Sequence, residues 1–227
     1  MSRFLKKDIE SGDSLFNPMK NIIIFGASGR VGQKLIEYAL ADNFKVTAFV
    51  RDTTKIKVGH LNLNVVQGDV FNRDDVQSAI KGKDFVLSAL SGRSSKPDYS
   101  VLSTGMNNII SGMEKFNIKR VMSVAGAGIL EDKEFGLRRN RPNYPEIFRL
   151  VSAENWKVFE SLQNTNLNWT MVCAPEMPEE KRTGIYRVEN NFLPEGGRRI
   201  SVEDVADFIL KNLETKNTFQ KRIGIAY

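Results

Sequence analysis

Asn21-Ile22-Ile23-Ile24-Phe25-Gly26-Ala27-Ser28-Gly29-Arg30-Val31-Gly32 is the stretch that decides the fold. Its first five residues form a nearly continuous apolar run, the pattern of a parallel strand covered by helices on both faces. The run stops at a glycine, and a helical pattern over 31–41 follows at once. In a strand–turn–helix setting the glycines have separate tasks. Gly26 supplies a tight turn, Gly29 lets the backbone approach a pyrophosphate, and Gly32 permits close packing of the helix. The free N–H groups and positive dipole end of that helix then hold phosphates. Spaced glycines alone recur in many turns, so the flanking strand and helix give the string its weight.

Outward from this stretch, β-branched runs alternate with longer amphipathic segments. Strands are predicted at 45–50, 64–67, 85–90, 120–124, 169–174 and 222–226, and helices at 73–80, 100–116, 146–163 and 202–214. That alternation predicts an α/β protein, a Rossmann-like doubly wound parallel sheet of about seven strands with helices on both faces. The 227 residues suit one domain over 19–227, preceded by a polar, flexible leader over 1–18. Two proline-bearing stretches, 131–144 and 175–200, follow strands at the carboxyl edge, where ligands of such sheets gather. Both are expected to wall a site, the second as a small substrate-side region.

Composition narrows the partners. The chain is 41% hydrophobic and 26% charged, ordinary for a globular protein, and its net charge of +6 is dispersed rather than gathered into a stripe. A nucleic-acid partner is therefore not expected. No segment approaches the roughly 20 apolar residues that span a bilayer, so no membrane partner is expected either. Cys173 and His60 are the only residues of their types, which rules out an internal disulfide and a His/Cys metal cluster. A cytoplasmic protein, monomeric or homodimeric, is the expectation.

The strand tips suggest which dinucleotide binds. NAD sites carry a carboxylate about 20 residues beyond the glycine loop, on the ribose hydroxyls. Here Arg51 ends that strand, and with Arg30 it suits a 2′-phosphate, so NADPH is the expected cofactor. Asp52 beside it leaves a ribose contact open. In Gly68-Asp69-Val70, Asp69 can bond the adenine amino group and Val70 can pack on the ring. In Ser88-Ala89-Leu90-Ser91-Gly92, the side chains of Ala89, Leu90 and Ser91 let a ribose lie across the turn.

Together with Ala174-Pro175, these motifs in this order resemble the extended and atypical short-chain dehydrogenase/reductases, over Met19 to Tyr227. The closest look is to their NmrA-like and biliverdin-IXβ/flavin reductase branch. The Tyr-dependent branch of that superfamily uses a Ser after the fifth strand and a Tyr-x-x-x-Lys on the next helix. Spacing places those at Gly126, Val151 and Asn155, and none of the three types is present. Ser123 falls three residues early, and Tyr144 has Phe148 where a lysine would stand. The flavin-reductase branch is similar in lacking this set. The resemblance therefore implies NADPH-dependent reduction of a small conjugated acceptor, anionic and aromatic, such as a flavin, quinone or tetrapyrrole. Gly126, Ala127, Gly128 and Pro175 would form the nicotinamide-side wall, and Arg138, Arg139 and Arg141 would either hold an anionic group or be solvated. The NmrA-like resemblance also admits a non-catalytic NADP(H)-sensing regulator; a sugar-nucleotide epimerase, which leans on the missing Tyr, is a weaker third.

Overall fold

A computed structural model describes residues 19–92 and 99–227, so the expected leader over 1–18 lies outside the described residues. The chain begins with β1 (Asn21–Phe25), α1 (Arg30–Ala41), β2 (Lys45–Val50) and β3 (Leu63–Gln67). It continues through α2 (Arg73–Ile80), β4 (Phe85–Ser88), α3 (Ser100–Lys115) and β5 (Arg120–Gly126). A two-stranded hairpin, β6 (Glu131–Asp132) and β7 (Gly136–Leu137), precedes α4 (Arg149–Gln163) and β8 (Asn168–Ala174). Last come β9 (Arg187–Asn190), α5 (Val202–Lys211) and β10 (Lys221–Ala226).

The main sheet has eight strands in the order β3-β2-β1-β4-β5-β8-β10-β9. Strand direction explains the doubly wound layout. From β1 the chain moves outward to β3, then returns across β1 to β4 and winds the other way. The switch between β1 and β4, with Phe25 opposite Ser88, opens the crevice where ligands of such sheets bind. Period-two alternation sorts the first strand between the layers: Ile22 and Ile24 join the apolar layer that includes α1 and α5, whereas Ile23 and Phe25 join the one with α2, α3 and α4.

The sequence predicts about seven strands, and the eighth is β9, antiparallel to β10. Arg187, Val188, Glu189 and Asn190 are all exposed, so this edge strand has no buried face to leave a pattern. It sits within the irregular stretch 175–200 and is specified by its partner. The caps also matter to the site. Ser201 Oγ accepts from Asp204 N at the start of α5, and Asn72 caps α2 in the same way. Helix α1 instead starts after Gly29 with no side-chain cap, which leaves its first N–H groups available to a ligand.

A candidate dinucleotide and acceptor site

Backbone contacts shape the glycine loop. Gly26 adopts φ +74°, and a Cβ there would stand 2.4 Å from Ala89 O, so this turn abuts the end of β4. At Gly32 a Cβ would meet Gly26 O at 2.2 Å, which presses the first turn of α1 onto the loop. Gly29 is less confined: its N–H bonds Gly26 O at 3.0 Å, and an added Cβ would meet that oxygen at 3.2 Å and Ala89 O at 4.0 Å. Behind it, Ser28 O accepts from Gln33 Nε2 and Val31 is buried. An uncapped helix start behind an open glycine fits a pyrophosphate.

The two arginines expected at the 2′-phosphate lie apart. Arg30 donates to Met177 O at 2.7 Å and approaches Glu179 at 3.8 Å, both on the segment after β8. That strand lies on the opposite side of β1 from β2. Arg51 alone stands at the tip of β2, with an exposed side chain and a carbonyl held by Gln67 Nε2. Asp52 is engaged in its own turn, accepting from Thr54 N at 3.0 Å and Thr54 Oγ1 at 2.6 Å. Those bonds hold its carboxyl below the usual aspartate range.

Where the sequence places the adenine, Asp69 Oδ1 accepts from Phe71 N and Asp69 N donates to Asp75 Oδ2. Val70 is buried, with its carbonyl bound by Asn108 Nδ2. Ala89 is buried and Leu90 half-buried, while Ser91 is exposed just before residues outside the description.

On the other side of the crevice Gly126 pairs with Ala174, which places Gly126 and Pro175 side by side at the carboxyl edge. Gly126 is open, its Cβ position meeting only Asn155 Nδ2 at 3.8 Å. Gly128 is not: Ser152 Oγ and Tyr144 Oη would lie 2.2 and 2.3 Å from a Cβ there, so the two hydroxyls cover it. They hydrogen-bond each other at 2.8 Å. Ala127 is buried in the same turn, and Ser123 is buried inside β5, away from the strand exit.

The stretch 175–200 divides in two. Pro175 to Glu179 borders the site, where Arg30 reaches it. Beyond this the chain is strapped to α5: Thr183 and Gly184 bond Asp204, Arg182 N bonds Glu203, and Tyr186 Oη bonds Asp207. Burial raises the pKa of Asp204, yet bonds from Tyr227, Gly184 and Thr183 prevail and hold it low. Lys34, followed by Tyr38 and Arg182 N, brings Glu203 down to about 2.

A family described as NAD(P)H-binding matches residues 26–216, nearly the whole chain. The chain belongs to the NAD(P)H-binding family. Among its relatives, the uncharacterised protein YwnB of Bacillus subtilis is 28% identical over 199 residues, covering 84% of this chain and 91% of the relative. A solved candidate epimerase from Bacteroides thetaiotaomicron is 30% identical with a TM-score of 0.81, covering 92% of this chain and 98% of that one. A solved candidate NADH-flavin reductase from Streptococcus pneumoniae is 26% identical with a TM-score of 0.77, covering 92% and 99%. The fold expected from Gly26–Gly32 is thus that of an NAD(P)H-binding, oxidoreductase-like family.

In this NAD(P)H-binding chain two polar residues escaped the sequence reading. Ser152 is 1% exposed and Asn155 4% exposed, both on α4 facing the end of β5. Among the described residues the Asn155 amide has no hydrogen bond, and it stands beside the open Gly126. The signal was available: the spacing that showed a missing lysine also put an amide in its place. Among the described residues no His/Cys/Asp/Glu group could hold a metal ion, and no helix is long and apolar enough to cross a membrane.

Proposed function

We propose that this chain is an NADPH-dependent reductase of a flat, conjugated acceptor, a flavin or a quinone. The carrying observation is the wall at the end of β5. An open Gly126 lies beside Pro175, and the nearby phenol, Tyr144, is bonded to a neutral serine hydroxyl rather than to a lysine. Such a wall can orient a ring but is poorly equipped to protonate an alkoxide. When bound, NADPH supplies a hydride, which a conjugated acceptor takes while its proton comes from water.

The residues of the chain do the positioning. The N–H groups at the start of α1 would hold the pyrophosphate, Arg51 a 2′-phosphate, and Gly126 with Pro175 the face of the nicotinamide. Cys173 takes no part, since burial pushes its thiol up to about 12; a lone thiol of this kind suits the cytoplasm.

The test is NADPH oxidation with FMN, a quinone and a simple aldehyde. Turnover of the first two but not the third is expected. Aldehyde reduction that disappears in Tyr144→Phe would overturn the mechanism, and tight NADPH binding without turnover of any acceptor would favour the regulator.

A further inference from the structure

Arg138, Arg139 and Arg141 lie in one short turn between β7 and α4, but their circumstances differ. Arg139 donates to Ser152 O at 3.2 Å and stacks over the Trp156 ring at 5.1 Å. Arg141 is paired with the buried Asp132. Asp132 is further occupied by Glu134 N and Phe135 N, so it is poorly placed to serve a second cation. The nearby Arg149 is bound to Glu146 and to Arg139 O. Among the described residues the Arg138 guanidinium makes no hydrogen bond and no ion pair, although the residue is half-buried.

Its place is the nicotinamide-side wall. Arg138 N donates to Leu130 O at 3.0 Å, and its turn packs on Ala127–Ile129. The Tyr144 hydroxyl covers Gly128 in that turn. The charged and titratable groups that face Arg138 are Arg141, Asp132 and Tyr144. Burial, then the like charge of Arg141, lowers its pKa. A partly desolvated guanidinium with unused donors is costly, and its natural complement is an oxyanion held in forked geometry.

We propose that Arg138 anchors an acidic group of the acceptor, a phosphate or a carboxylate, and so selects anionic conjugated substrates. The proposal rests on the reductase reading for the identity of the acceptor but not for the anion site itself. Two measurements keep them apart: binding of FMN and of riboflavin to the NADP⁺-loaded protein, and turnover of both with NADPH. Arg138→Gln should raise Kd and KM for FMN about tenfold or more, with riboflavin changed less than about twofold. NADPH affinity should stay as it was and the melting temperature should not fall, since the side chain breaks no bond on removal and its burial is costly. Arg138→Lys should recover part of the FMN preference by keeping the charge without the fork. A carboxylate-bearing naphthoquinone compared with menadione tells carboxylate recognition from phosphate recognition.

Equal losses for FMN and riboflavin, or no loss for either anionic probe, would overturn the anchor. If FMN binding depends on Arg138 but nothing is turned over, the anchor stands and the reductase reading falls. If FMN is turned over equally well by Arg138→Gln, the reverse holds.

Discussion

At the β1–β4 side of the crevice the shape is held by backbone atoms, whereas beyond β5 and β8 it is held by side chains. Gly26 and Gly32 are pressed against carbonyl oxygens, and a Cβ on either would collide with main chain. Across the crevice, Tyr144 and Ser152 close over Gly128, and Asp204 gathers the segment after β8. The first side is where the proposed function puts the phosphate chain, for which N–H groups suffice. The second is free to differ, because exchanging a side chain alters a wall without altering the turn that carries it.

The sharpest break between the two halves should come at Gly29. Its φ of −77° suits any residue and its outward side is open, so Gly29→Val should fold. The added methyl groups would stand where the phosphates must come. NADPH affinity should fall more than about 100-fold, or ~2.7 kcal/mol, with the circular dichroism spectrum and melting temperature nearly unchanged. Retained affinity would show that this loop does not hold the pyrophosphate.

Asp204 is the counterpart in the half held by side chains. It is fully buried and accepts from Thr183, Gly184, Ser201 and Tyr227, so Asp204→Asn sets a donor against donors. A loss of about 3 kcal/mol of stability at neutral pH is expected. The pH dependence has a definite sign. Asp204 and Glu203 both have depressed pKa values in the folded state, Glu203 at about 2. Their contribution is therefore complete above the ordinary carboxylate range and is lost as pH falls through the folded values. Urea midpoints taken from pH 7 down to pH 3 should decline, and less steeply in Asp204→Asn. An unchanged slope would mean that Asp204 does not contribute to acid lability.

The same contrast governs what could be read in advance. Strands β1, β2, β4, β5, β8 and β10 were legible because burial writes itself as apolar runs, the edge strand β3 only through its paired valines, and the glycine loop because backbone collisions admit one residue type. β9 and the β6–β7 hairpin were not legible, since exposed strands as short as Glu131–Asp132 need no pattern of their own. Arg30 shows the limit for sites. Its sequence neighbours suggested the ribose phosphate, yet a carbonyl of Met177, 147 residues away in sequence, receives its guanidinium. No local signal announces such a partner, whereas Arg51 follows directly from the end of β2.

On the proposed NADPH reading Arg51 would carry most of the cofactor preference, and the expected effect is moderate. Arg30 is turned to the segment after β8 and Asp52 is bound to Thr54, while Lys55 and Lys57 lie close enough to act on Asp52 in the turn that follows. Arg51→Ala should weaken NADPH by about 1.5–3 kcal/mol, the range for hydrogen bonds to a charged group, and leave NADH within about twofold. Parallel titrations of both cofactors check this. Equal affinities in the unmodified protein would remove the 2′-phosphate from the argument.

The smallest effect is expected at Tyr144, and its smallness is the informative result. A general acid in the transition state is worth roughly 10²–10⁴ in rate. To earn that, a phenol needs a partner that lowers its pKa or replenishes its proton. Tyr144 Oη has Ser152 Oγ at 2.8 Å, a neutral hydroxyl, and four residues on, where a lysine would support it, stands Phe148. Arg149 lies 6.0 Å from the ring centroid, and Arg138, the other guanidinium that faces Tyr144, is the one proposed to hold the acidic group of the acceptor. Tyr144→Phe removes one exchangeable bond and leaves the ring over the turn, so turnover of FMN or a quinone should change by less than about tenfold, well under the loss of a true acid. Ser123→Ala should do less still, because that hydroxyl is sealed inside β5. A drop of two orders of magnitude in Tyr144→Phe, with NADPH binding intact, would show that the side-chain wall beyond β5 supplies a proton as well as a surface.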